Sequence, residues 1–162
     1  IIAPDPAQQL TGNLGERFAQ LSDGGLVTWA VQGVLSKVAQ TLAAQGVETT
    51  GPARTERRTA DGELLVWELL FPKASSFGPR MPFFIDWLAC PHPSVTSPRG
   101  GRFAGLTITT PDAGTLRRVL TSLGVDVEVN AGAPGLCVRI DTAKGPVTLE
   151  STAETSALML GR

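Results

Sequence analysis

The chemistry of this chain starts from a few polar side chains placed among apolar neighbours. In Arg80-Met81-Pro82-Phe83-Phe84-Ile85-Asp86-Trp87 one carboxylate stands among large apolar residues. Phe, Ile and Trp favour a pleated, half-buried surface, which predicts a strand. On a strand, Phe84 and Asp86 share one face, and Phe83, Ile85 and Trp87 share the other. A carboxylate in that setting must be paired, hydrogen-bonded or kept near water. Asp86 therefore either closes a strand end against a backbone N–H or an arginine, or belongs to a ligand cavity. Glu68, between Trp67 and Leu69 in an apolar run, poses the same alternative.

His92, the single histidine, is flanked by two prolines that stiffen the backbone. Its imidazole suits general-base work near neutral pH, or a packing and hydrogen-bonding role in the loop. Arg57 and Arg58 precede a turn, where a guanidinium fork suits a carboxylate or phosphate, or pairs with Glu68 or Asp86. Trp29, Trp67 and Trp87 fall on three predicted strands; they are core or, if inward-facing, a wall for a flat apolar ligand. The catalytic candidates are Asp86 and His92. The ligand-binding candidates are Trp29, Arg58, Trp67, Glu68 and Phe84. Glu150 closes the last predicted strand. The chain holds no Gly-rich phosphate loop, Gly-x-Ser-x-Gly elbow or HExxH, so hydrolase and nucleotide-binding readings find no support.

The elements that must position these residues follow from composition and periodicity. The 162 residues are 42% hydrophobic and 18% charged, with net charge −1, as expected of a globular chain long enough for a real core. Arginines are scattered rather than striped, which argues against nucleic acid or an anionic membrane as main partner. No apolar run approaches the roughly 20 residues that span a bilayer. Cys90 and Cys137 form no CxxC pair and read as reduced thiols of a cytoplasmic protein. Ile1-Ile2-Ala3-Pro4-Asp5-Pro6 has no secretory pattern and reads as the end of a strand entering a loop.

Leu14, Phe18 and Leu21 share a helical face behind Asn13 as N-cap. Leu26–Gln32 predicts a strand, Val34–Gln45 a helix stopped by Gly46, and Val47–Arg57 a strand bulged near Gly51-Pro52. Asp61-Gly62 predicts a turn, and Leu64–Phe71 a strand, followed by the opening stretch. After a Pro/Gly-rich connector come a strand at Phe103–Thr109 and a helix from Pro111-Asp112 to Gly124. Strands at Val125–Asn130, Leu136–Thr142 and Val147–Ser151 and a weakly helical tail complete the chain. This predicts an α+β fold in which a β-α-β-β-β unit occurs twice. The expected divisions are residues 1–25, a module over 26–90, a linker over 91–101, a second module over 102–151, and a tail over 152–162.

Paired β-α-β-β-β modules resemble the vicinal oxygen chelate superfamily, which includes glyoxalase I, extradiol dioxygenases and bleomycin-resistance proteins. More narrowly, Ile2-Ala3-Pro4-Asp5-Pro6, Leu26–Val31, Arg57-Arg58 with Asp61-Gly62 and Trp67, and Met81–Trp87 followed by His92-Pro93-Ser94 resemble the glyoxalase-like domain family. The resemblance implies curled, cup-shaped sheets with helices outside and a small molecule or divalent metal within. It implies a metal-dependent lyase or oxygenase or, alternatively, a metal-free module that sequesters its ligand; a homodimer is a further expectation. In metal-using relatives the first strand of a module offers His or Gln and the last offers Glu. Here those positions fall on Leu26 and Phe103, which cannot ligate, and on Asp86 and Glu150, which can. The resemblance also implies a further module upstream of Ile1 that would complete any metal site.

Overall fold

A computed structural model describes Pro4, Ala7 and residues 9–59, 62–73 and 76–158. The expected opening strand end and Asp61 of the predicted turn lie outside the described residues. Helix α1 spans Leu14–Ala19, with the Asn13 side chain accepting from the Gly15 N–H as an N-cap should. The first module then runs β1 (Ala30–Gln32), α2 (Leu35–Ala44), β2 (Thr49–Arg58), β3 (Leu64–Pro72) and β4 (Phe83–Asp86). The second runs β5 (Arg102–Thr110), α3 (Ala113–Ser122), β6 (Glu128–Ala131), β7 (Gly135–Thr142) and β8 (Gly145–Glu150), before a short α4 (Ala153–Ala157). Among the described residues no helix is long and apolar enough to cross a membrane.

Several predicted strands come out shorter, β2 and β6 starting later, at Thr49 and Glu128, and for two others the reason lies in the backbone. Gly78–Arg80 forms a 3-10 turn and Pro82 has no N–H for a ladder, so β4 begins at Phe83. With β4 shortened, Leu26–Trp29 lacks a neighbour over most of its length. The Trp29 carbonyl accepts from the Phe83 N–H, while the Leu26 N–H donates to the Glu150 carbonyl at the end of the second sheet. The predicted bulge is present, as a register shift between Thr50 and Ala53 around a cis Gly51–Pro52 peptide.

The fold is α+β, with two four-stranded sheets built from two β-α-β-β-β runs. The repeat holds for element order but not for sheet order. The first sheet is ordered β1-β4-β3-β2, with β1 parallel to β4. The second is ordered β6-β5-β7-β8, with β5 parallel to β6. The last strand of the first module therefore lies beside its first strand, whereas β8 is separated from β5 by β7. Asp86 and Glu150 each close the last strand of their module, but those strands hold different places in the two sheets.

A single apolar cluster joins the halves: Leu35, Leu42, Leu70 and Phe84 pack with Ile108, Leu116, Val119 and Leu120. Helix α3 begins where Pro111-Asp112 was expected to start it, and there the Asp112 side chain accepts from the Thr115 N–H. Helix α2 starts at Val34 with no side-chain cap.

Candidate functional site

Register and alternation sort the first sheet into two unlike faces. On one, Val31, Phe84 and Leu70 align across β1, β4 and β3, and Phe84 and Leu70, both fully buried, pack in the core with Leu35 and Leu42 of α2. Phe84, expected to line a cavity, is corrected to a core residue because α2 seals its face. Two residues further along the same face, Asp86 lies opposite Glu68, and Glu68 opposite Arg54. Both carboxylates are half-buried. Like charges directly opposite on a ladder repel, and Arg54 stands in the same row, opposite Glu68. The Asp86 carboxylate accepts the Leu88 N–H at 2.9 Å, the strand-end role anticipated as one alternative. Arg58 reaches neither acid; its guanidinium donates to the Gly62 carbonyl at 3.1 Å within its own hairpin. Arg57 lies opposite Leu65, on the other face.

That other face is an apolar ladder. Phe83 stacks on Phe71 with ring centroids 5.5 Å apart and planes at 24°. Ile85 lies opposite Leu69, and the Trp87 and Trp67 rings meet at 5.6 Å and 46°. All six side chains are half-buried. Trp29 is not part of this wall. It packs against the core and its indole donates to the Arg80 carbonyl at 3.0 Å. For Trp29 the structure favours the core alternative, and the Trp67–Trp87 pair stands apart from it on the β3–β4 ladder.

The loop after β4 frames the tryptophan pair. His92 is exposed and presents its ring to Trp87 at 5.3 Å and 78°. Its Nδ1 accepts the Ser94 N–H at 3.1 Å and lies 2.7 Å from the Ser94 hydroxyl, capping a 3-10 turn at Pro93–Val95. A neutral ring used this way carries its proton on Nε2. Leu88 adopts a left-handed backbone (φ 52°), which is strained for a non-glycine residue. Cys90 Sγ accepts the Val66 N–H, tying the loop to β3 where β4 has run out. The Trp87 indole nitrogen is buried with no hydrogen-bond partner. At the far end of the ladder, Thr28 and Leu158 close over Phe71 and Phe83, leaving about 50 Å³, too little for an organic ligand.

The second sheet's open face is largely polar, with the exposed Phe103 at its edge, and composition did not single it out. Glu128, Thr107, Cys137 and Glu150 form one row across all four strands, and Arg139 and Thr148 stand in the next. The face borders an open concavity of about 510 Å³. Hydrogen bonds from Asn130 and from the Thr107 hydroxyl hold the Glu128 carboxyl below its ordinary range. Burial, followed by the Glu150 carboxylate, pushes the Cys137 thiol up, so Glu150 is a neighbour of that thiol. The alternation of Leu136, Val138 and Ile140 with Cys137, Arg139 and Asp141 was the readable signal for this face.

The acids among the described residues do not come together as a divalent-ion site. Asp86 and Glu150 lie on different sheets, Asp86 on the helix-covered face. Among the described residues no three His, Cys, Asp or Glu side chains converge.

Two β-α-β-β-β modules around one core fit the vicinal oxygen chelate class, which the family model over residues 1–124 shows. The chain belongs to the glyoxalase-like domain family, whose family model matches residues 1–124. Among solved structures it is similar to a hypothetical protein from Staphylococcus aureus, at 17% identity and a TM-score of 0.48. That match covers 76% of this chain and 51% of the other, so the chain spans about half its length. No curated protein matches the chain.

Proposed function

We propose that this glyoxalase-like chain binds a flat, largely apolar small molecule on the Trp67–Trp87 end of the first sheet, by sequestration rather than metal chemistry. The observation that carries the reading is the half-buried ladder Phe83–Phe71, Ile85–Leu69 and Trp87–Trp67, closed at its phenylalanine end and framed by His92 at its tryptophan end. Offset aromatic surfaces of this kind reward a planar guest by both burial and ring stacking. Asp86 and Glu68 face the other way, so neither meets such a guest. A metal-dependent lyase or oxygenase would need ligands that the aromatic face does not hold.

The test is a titration of the purified protein with naphthalene, followed by tryptophan fluorescence. Saturable quenching is expected, with Trp67→Ala weakening binding on the order of tenfold and Arg139→Ala leaving it unchanged. Equal affinity in wild type and Trp67→Ala would remove the aromatic face as the site. Elemental mass spectrometry of protein purified without chelator or nickel is expected to find substoichiometric divalent metal; a full equivalent would return the reading to an enzyme.

A further inference from the structure

We propose that the Trp87 indole N–H is the polar recognition point of this face, and that the ligand carries a carbonyl or similar hydrogen-bond acceptor on the edge of its ring system. The inference rests on the aromatic-face reading and adds to it the chemistry of the ligand. An indole nitrogen is a donor only, and buried donors in folded proteins are almost always satisfied. Trp29 obeys the rule through the Arg80 carbonyl. Trp87 does not, although its nitrogen is removed from solvent. The Arg80 Nε is also buried and unpaired, but that guanidinium has further donors and spends one on the Ser76 carbonyl.

The backbone around Trp87 is not loose enough to make the missing partner incidental. The Asp86 carboxylate takes the Leu88 N–H, the Trp87 carbonyl takes the Cys90 N–H at 2.9 Å, and Leu88 is held left-handed between them. Strain of this kind gathers where a side chain must be aimed. One ring packed on the indole comes from β3, as Trp67; the other is His92, exposed and carried on its own short turn. His92 is therefore the side that yields to an incoming ring. A planar guest that takes its place against Trp87 brings an edge acceptor to the indole nitrogen, which a hydrocarbon of the same shape cannot do. Cross-strand neighbours Glu68 and Asp86 lie on the opposite face and do not compete for the donor.

The experiment compares coumarin, a flat bicycle with a ring carbonyl, with naphthalene, which lacks an acceptor. The readout is the three tryptophan indole N–H signals in nitrogen-15 NMR of the wild-type protein, assigned by triple resonance. Coumarin is expected to move the Trp87 signal downfield, naphthalene to move it far less, and coumarin to bind about fivefold tighter. In Trp87→Phe both probes lose stacking, so the ratio of their affinities is the informative quantity; it is expected to fall to unity. Naphthalene binding with coumarin no tighter, or an unmoved Trp87 signal in bound coumarin, overturns the recognition point and leaves the aromatic face standing. Failure of both probes to move any indole signal overturns the aromatic face and the recognition point together. The wild-type spectra decide the matter even if the variant does not fold.

Discussion

The two modules share an element order and differ in where the strand after the helix lands. In the first, β2 takes the far edge, and the chain returns through β3 to lay β4 beside β1. In the second, β6 lands directly beside β5, making a parallel β-α-β unit, and β7 then pairs on the other side of β5. The consequence is chemical. The first module's uncovered face is an aromatic ladder, whereas the second's carries Thr107, Glu128, Cys137, Arg139, Thr148 and Glu150. Water satisfies the second face. The first gathers six half-buried apolar side chains on one patch, whereas on the second the exposed Phe103 stands among polar neighbours. The same arrangement of elements thus yields one aromatic face, the proposed ligand surface, and one largely polar face.

The largest expected effect separates the covered side of the first sheet from its open side. Phe84→Ala, which empties a fully buried position, is expected to cost about 3–5 kcal/mol. Trp67→Ala on the half-buried face should cost clearly less in the same urea titration; equal costs would mean that the aromatic face is core and not a binding surface.

A second contrast lies in the helices. Asp112→Ala removes the α3 cap and is expected to cost about 1 kcal/mol. Val34→Asp supplies α2 with the cap it lacks in an already extended Ncap backbone, for a gain of up to about 1 kcal/mol. Thermal melts of both variants check the pair, and a loss on Val34→Asp would show that the exposed Val34 contributes through contacts the cap does not replace.

The smallest effects are electrostatic and belong to the second face. Because hydrogen bonds hold the folded Glu128 carboxyl low, the stability it lends is present above the ordinary carboxylate range and lost as pH falls through the lowered value. For Cys137 the sign is opposite. Its raised thiol pKa means that stability erodes as pH rises above the ordinary thiol range, and that thiolate is scarcer in the folded chain. In a Cys90→Ser background, Cys137 is expected to react with a disulfide reagent at pH 8 more slowly than the same thiol in urea. NMR titration should place the Glu128 midpoint below that of a glutamate in the unfolded chain. Either result reversed would detach these residues from the row described.

Much of the fold was legible locally. The α1 cap at Asn13, the α3 start at Asp112, the bulge at Gly51-Pro52 and the strand from Leu64 follow from short-range rules that the final structure obeys. The site was legible only in part. Alternation correctly set Phe83, Ile85 and Trp87 on one face and Phe84 and Asp86 on the other, yet it could not say which face α2 would cover. That choice turned Phe84 into core and drew Asp86 away from the ladder. Trp29 was grouped with Trp67 and Trp87 by residue type, and a hydrogen bond to a carbonyl 51 residues away removed it.

By itself, then, the sequence determined the α+β class, the order of the elements, and the faces within each strand, because periodicity and capping act over a few residues. The tertiary structure alone decided the sheet orders, the partner of each acid, the isolation of the Trp87 N–H and the grouping of Cys137 with Glu128 and Glu150. Those depend on which strands meet across long stretches of chain, and loop-closure entropy and packing settle that globally rather than residue by residue.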